Sequence, residues 1–306
     1  MNNTTDRNGS SVENNYTLWL TMDLILDPLF IATHLLATIA NLVLLLTMWK
    51  DPLKCFRTPS CYLLFNLGFL GITPAVSFCL NLVTVLMDSL YFGAYVLIYS
   101  FYCTISAVLL LSIDRYLLVC SPFKYSMMIT KPRVVYAVLF SWFMGALLIS
   151  AFFLQRFGLH VAVFSSFFML LFLVLAIAII IDIKTWFIIR KLQTQLETFR
   201  KRSVDSNSNS HQAEQKRLRT EKRFAKVVFL LFVNLLIFIL PQVIMVGLRL
   251  VNIWCNLCAK QLLFPNLGLL LAHCSPLFHI TSPVLYLTFI PKYRKSFLAL
   301  FTSCFN

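Results

Sequence analysis

The sequence is poor in charge. Asp, Glu, Lys and Arg make up 12% of its 306 residues, against 59% hydrophobic residues with 29 Phe among them. A soluble domain carries roughly a quarter charged residues, so this composition cannot clothe a water-facing surface. A disulfide framework is lacking too. Of nine Cys, five (Cys61, Cys79, Cys103, Cys120 and Cys274) fall in or beside apolar runs, where a thiol acts as a small hydrophobe. Residues 1–17 are polar and lack the charged-then-apolar pattern of a cleaved signal peptide, so the first apolar run is expected to act as an uncleaved anchor. No nucleophile–base pair, phosphate loop or metal cluster stands out, which argues against an enzyme and implies no cofactor.

What the chain has in abundance is long apolar segments. Seven can be marked, roughly at 25–49, 60–84, 91–121, 133–154, 160–190, 223–250 and 263–289. Each is long enough to cross ~30 Å of hydrocarbon, which takes about 20 residues of helix. Backbone groups in lipid must be satisfied within the segment, so the spans are helices. The fold class expected is an all-α membrane protein, a seven-transmembrane helix bundle. A shorter stretch, about 291–301, mixes Lys292, Arg294 and Lys295 with Phe297, Leu298 and Phe301, as in an amphipathic cytoplasmic helix lying on the membrane.

The formal net charge of +14 could point to nucleic acid, but its placement does not. Twenty-two of the 26 basic residues lie in the first, third and fifth connections and the tail; Arg7, Arg156, Arg249 and Lys260 alone lie opposite. This bias predicts an extracellular amino terminus and a cytoplasmic tail in the plasma membrane, with no nucleic acid partner. Glycosylation sequons at Asn2, Asn3, Asn8 and Asn15 agree with that side. Three regions are therefore expected: a glycosylated extracellular tail over 1–24, a seven-helix domain over 25–290, and an amphipathic helix with a short tail over 291–306. Within the domain, about 193–222 is expected to be a long, flexible cytoplasmic loop, polar around Ser203–Ser210. An odd number of spans and no internal repeat argue against an inverted-repeat transporter.

Motifs narrow the class. The third span ends Ser112-Ile113-Asp114-Arg115-Tyr116, with Pro122 seven residues after the arginine. The first span holds Asn41, the second begins Thr58-Pro59-Ser60-Cys61-Tyr62, the fourth has Trp142, the sixth has Pro241, and the seventh ends Ser282-Pro283-Val284-Leu285-Tyr286. In this order they resemble the signatures of rhodopsin-like G-protein-coupled receptors. The resemblance implies a receptor that passes an extracellular ligand signal to a heterotrimeric G protein by outward movement of its sixth helix. It assigns the coupling switch to Asp114, Arg115, Tyr116, Pro283 and Tyr286, and hinge or packing roles to Asn41, Trp142 and Pro241. Glu221 lies 20 residues before Pro241, where many such receptors carry an acid facing the third helix. An Arg115–Glu221 bridge would hold the inactive state, since the guanidinium fork suits a carboxylate. Lys124, Arg190, Lys191, Lys222 and Lys226 would face anionic membrane lipids or an acidic partner surface.

The chain also departs from that pattern. Gly71 and Ser282 stand where the family has Asp and Asn, so its central sodium site is expected to be absent. Ile239 replaces a Trp near Pro241. The fifth span lacks the family's Pro and carries Asp182 and Lys184, which either pair or snorkel, with Asp182 a second candidate partner for Arg115. Leu90 stands where the third span usually begins with Cys, so the usual inter-helix disulfide cannot form. Cys255 and Cys258 either bridge locally or stand as separate thiols. These absences resemble melanocortin-type receptors. Leu97 replaces the acid that binds amines. The polar outer residues His34, Asp88, Gln155, Arg156, His160, Gln242, Arg249 and His273 leave a mostly apolar mouth for a lipid, a hydrophobic small molecule or a short peptide. Cys304 suits palmitoylation. A receptor-like protein without coupling, acting as scavenger or scaffold, is the alternative function, and a transporter a third.

Overall fold

The computed structural model describes residues 28–86, 92–150, 160–202, 209–241, 243–244 and 263–305. The expectations at Asn2, Asn3, Asn8, Asn15, Cys255 and Cys258 lie outside these residues. Among the described residues the helices are, in chain order, α1 Pro28–Lys50, α2 Pro59–Leu70, α3 Thr73–Leu86, α4 Phe92–Cys120, α5 Pro122–Met128, α6 Lys131–Ser150, α7 His160–Arg202, α8 Asn209–Phe238, α9 Leu263–Phe289 and α10 Pro291–Phe305. Among the described residues there is no strand. The helices form the seven-helix bundle expected, with α2 and α3 together making the second span. Four described helical stretches are long and apolar enough to cross a membrane: Pro28–Lys50, Pro59–Leu80, Ile98–Cys120 and Met169–Leu192.

Helix α4 sits centrally, packed against α2, α3, α6, α7 and α8, while α9 closes the bundle between α8 and α1. The distribution of side chains is that of a protein in lipid. Leu35, Ile39, Leu42 and Leu46 of α1 face outward, while His34, Asn41 and Thr47 of the same helix face inward and are buried. Polar groups gather inside, where other helices satisfy them, and hydrocarbon meets the outside.

Two departures from the sequence reading have local causes. The second span is interrupted at Gly71–Ile72 rather than continuous. Pro74 has no N–H to offer the Leu70 carbonyl four residues back, and its ring crowds that carbonyl. The Thr73 hydroxyl donates to Leu70 O at 2.6 Å in its place. The second departure is the expected loop at about 193–222. Helix α7 instead continues for 43 residues to Arg202, and α8 begins at Asn209. Both extensions are rich in Gln, Glu, Lys, Arg and Leu, strong helix formers that tertiary packing need not support.

The amphipathic helix is present and longer than expected, over Pro291–Phe305. It docks on the end of α1 through Tyr293, which donates to Met48 Sδ at 3.2 Å and packs its ring 4.5 Å from Phe56. Lys292, Arg294 and Lys295 lie off that contact and are all exposed. The helix runs through Cys304, whose side chain lies outside the described set.

Candidate functional site: the Arg115 end of the bundle

Arg115 and Asp114 sit one turn and a half from the end of α4 and are nearly inaccessible, at 4% and 2% exposure. Buried charges need both a counter-charge and hydrogen bonds, because desolvation otherwise exceeds their attraction. Both are supplied. Arg115 Nε donates to Asp114 Oδ2 at 2.9 Å, and its Nη2 reaches the same oxygen and Ser60 Oγ. Ser60, in the first turn of α2, donates in turn to Asp114 Oδ2 at 2.8 Å. The other carboxylate oxygen accepts from Tyr125 of α5 at 2.7 Å. Burial, reinforced by the carboxylate beside it, pushes the Tyr125 hydroxyl well above its ordinary pKa, so it stays a donor at working pH. The guanidinium plane lies over Phe224 of α8, 4.1 Å from the ring centroid, in cation–π contact.

The cluster thus joins α2, α4, α5 and α8. Tyr116 is not part of it: half-buried, it has its hydroxyl beside Cys120. Helix α8 includes Glu221, but that side chain lies outside the described set, so the bridge expected with Arg115 is not part of the geometry above. Asp182 and Lys184 do not pair: Asp182 is 6% exposed while Lys184 is exposed. Residues two apart on a helix face different ways, which decides the matter.

Nearer the middle of the bundle the polar contacts are neutral. Pro283, inside α9, leaves the carbonyl of His279 without its helical donor. Asn41 Nδ2 donates to that carbonyl at 2.8 Å and to Ala37 O at 2.8 Å. Gly71 makes this possible. A Cβ added there would meet the Asn41 amide group, so the end of α2 and α1 can approach only because residue 71, which caps α2, is glycine. A carboxylate at that position would overlap Asn41. Ser282 is buried and donates to Phe278 O at 2.7 Å. Asn234 of α8 donates to Thr281 Oγ1 at 2.5 Å and Phe278 O at 3.3 Å. Trp142 donates to Asn66 Oδ1 at 3.1 Å and stacks on Phe69. Tyr286 is fully buried beside Tyr293, and its hydroxyl has no hydrogen-bond partner among the described residues.

Pro241 follows a turn at Ile239, where α8 gives up regular helical geometry. Hydrogen bonds from Ile239 N to Leu235 O and from Val243 N to Ile239 O carry the chain through that turn. Ile239 itself is fully buried.

Residues 40–286 match the model of the 7 transmembrane receptor (rhodopsin family). The chain belongs to this family. A crystal structure of squid rhodopsin shares the fold, with a TM-score of 0.70 at 16% identity over 87% of this chain and 76% of that one. Two curated relatives match more locally. Olfactory receptor 4K17 of Homo sapiens is 30% identical over 135 residues, 41% of this chain and 42% of the relative. Olfactory receptor 1078 of Rattus norvegicus is 27% identical over 127 residues, 39% of this chain and 38% of the relative. The matches span less than half the length of these relatives. A likeness to melanocortin-type receptors gains no support from them.

Sequence reasoning picked Asp114 and Arg115 but passed over Ser60, Tyr125, Asn66, Asn234 and His279. Ser60 was within a quoted motif, and Tyr125 lies three residues after Pro122; neither position signals its partner across the fold.

Proposed function

We propose that this receptor couples an extracellular ligand to heterotrimeric G proteins through release of Arg115. The observation that carries this reading is the position of the arginine. It is held by Asp114 and Ser60 on one side and covered by Phe224 of α8 on the other. Outward movement of α8, the sixth transmembrane helix, would uncover the guanidinium and open a cavity for a partner. The turn at Ile239–Pro241 is where such a movement would pivot. Glu221, in the same turn as Phe224, would hold α8 closed; Pro283 and Tyr286, whose hydroxyl has no hydrogen-bond partner among the described residues, belong to the same switch. In this reading the Arg115 end faces the cytoplasm, and the glycosylated amino terminus, with Asn2, Asn3, Asn8 and Asn15, lies outside the cell. Cys304 would carry a palmitoyl anchor. The names of the two relatives, both olfactory receptors, favour the hydrophobic small molecule over a lipid or short peptide as ligand.

Basal coupling across a G-protein panel, followed by energy transfer at matched surface expression, tests the proposal. Arg115→Ala should reduce coupling to background, and retained coupling would overturn the mechanism. Glu221→Ala should raise ligand-free signalling; an unchanged basal signal would remove Glu221 from the switch. A second reading, a receptor-like scavenger or scaffold without coupling, is favoured by the Gly71–Asn41 approach, which leaves no room for the family's central carboxylate. Absence of coupling to every G protein tested, in wild type and Glu221→Ala alike, would select it.

A further inference from the structure

Helices α1, α3 and α9 bring two imidazoles together near the middle of the bundle. His34 of α1 and His279 of α9 are 6% and 3% exposed, and they lie within electrostatic reach of one another. The ring of His34 is fixed. Its Nδ1 stands 2.8 Å from Phe30 O; a carbonyl only accepts, so Nδ1 carries the hydrogen and Nε2 keeps its lone pair as an acceptor. Phe30 and Phe78 of α3 flank that ring, with centroids 4.1 and 5.8 Å away. His279 differs. It packs edge-on to Phe278 with centroids 5.1 Å apart, and neither of its ring nitrogens has a hydrogen-bond partner among the described residues. A buried imidazole without a partner is costly and calls for an explanation.

What could meet these rings is limited by charge. Helices α1, α2, α3 and α9 hold no Asp, Glu, Lys or Arg apart from Lys50, at the far end of α1. Their other titratable groups are Cys61, Tyr62, Cys79, Cys274, Tyr286 and His273, the last with its side chain outside the described set. Thiols and phenols are ordinarily uncharged near neutral pH. A metal cation or a free anion would therefore enter with a charge that nothing beside it balances, at high cost inside the membrane. A purely apolar molecule would leave the rings unmet. A carboxylic acid that brings its own proton avoids both penalties. Its O–H and C=O set a donor beside an acceptor, which two neutral imidazoles complement. The total charge is zero whether the proton stays on oxygen or passes to nitrogen.

We propose that His34 and His279 form the head-group site for a small apolar carboxylic acid. His34 Nε2 accepts from the acid O–H, a ring N–H of His279 donates to its carbonyl oxygen, and the hydrocarbon lies against Phe30 and Phe78. The inference rests on the reading of this chain as a receptor for a hydrophobic small molecule, and it names that molecule's class. The acid is ionised in water while its complex is neutral overall, so binding takes up one proton. Affinity should accordingly fall about tenfold between about pH 7 and 8.

The test uses the full chain in lipid nanodiscs, with octanoic acid as the probe and octanol as the probe of equal chain length that lacks the acid. Affinity is read from the rise of the thermal midpoint with probe concentration. Octanoic acid should stabilise the receptor saturably, and octanol at least about tenfold more weakly, the scale of one charge-assisted hydrogen bond. His279→Phe keeps an aromatic ring and removes both nitrogens. His34→Asn keeps a donor where Nδ1 stands and removes Nε2. Each should weaken acid binding by about the same factor. If either variant fails to fold, the comparisons of acid with alcohol and of the two pH values in wild type still decide. Four results overturn the inference: no saturable stabilisation by octanoic acid, equal stabilisation by octanol, an affinity indifferent to pH, or a folded variant that binds the acid as wild type does. The energy-transfer assay separates the two claims. Ligand-free coupling without acid binding overturns the inference and leaves the coupling reading standing. Acid binding that depends on both histidines, without engagement of any G protein, supports the site and removes the coupling reading alone.

Discussion

The two ends of the polar interior are built from different chemistry. At the Arg115 end a carboxylate and a guanidinium, both buried, are held by Ser60 and Tyr125. Around Asn41, amides and hydroxyls bond to backbone carbonyls, and a glycine stands where a further charge would need space. Charged groups release large energies when re-paired, so they suit an element that must exist in two arrangements. Neutral bonds to carbonyls that proline has freed do something else: they repair a helix. Under the proposed coupling, the contrast would separate a part of the bundle that rearranges from a part that holds still.

That contrast can be broken from the charged side first. Arg115→Ala leaves Asp114 buried without its cation, and loss of one partner of a buried pair costs about 3–5 kcal/mol. We expect a clear fall in the thermal midpoint of the purified receptor together with loss of coupling; a midpoint equal to wild type would mean the site is far more hydrated than its burial indicates.

At the neutral centre the expected effects are steric. Gly71→Ala should destabilise by about 1–3 kcal/mol, since the new methyl must displace an Asn41 side chain fixed by two hydrogen bonds. Asn41→Ala in the same chain should recover part of that loss. Additive effects in this double-mutant cycle, read by thermal unfolding, would show that the two residues do not touch.

The smallest effect sharpens the comparison. Tyr125→Phe removes one donor from Asp114 and should cost about 0.5–1.5 kcal/mol in stability. Its signature is functional: ligand-free signalling should rise, because the acid that holds Arg115 is itself less well held. If signalling instead falls, Tyr125 supports the open arrangement rather than the closed one.

Much of this architecture was legible in the sequence. Apolar run lengths located the seven spans, and the Asp114-Arg115-Tyr116 triplet located the charged end. The break in the second span was missed, although Pro74 and Gly71 stand together in its middle. The partners of Asp114 were not legible. Ser60 is 54 residues away and Tyr125 is 11 residues on, across a bend, and no local pattern encodes a contact of that kind. The missing acid at Gly71 was read as a loss, whereas the fold shows a position filled by Asn41 from another helix. Polar composition between the fifth and sixth spans suggested a loop; the residue types there favour helix without any buried face, which hydropathy does not register.

One consequence follows from the length of α7. Its 43 residues make a rod of about 65 Å, roughly twice the ~30 Å depth of hydrocarbon. From Arg190 to Arg202 alone it advances about 18 Å. Such a rod is a lever whose fulcrum lies in the bundle beside Asp182. A tilt too small to disturb packing at the fulcrum becomes a displacement of several ångströms at Arg202, so a partner gripping the far end would have mechanical purchase on the charged cluster around Arg115.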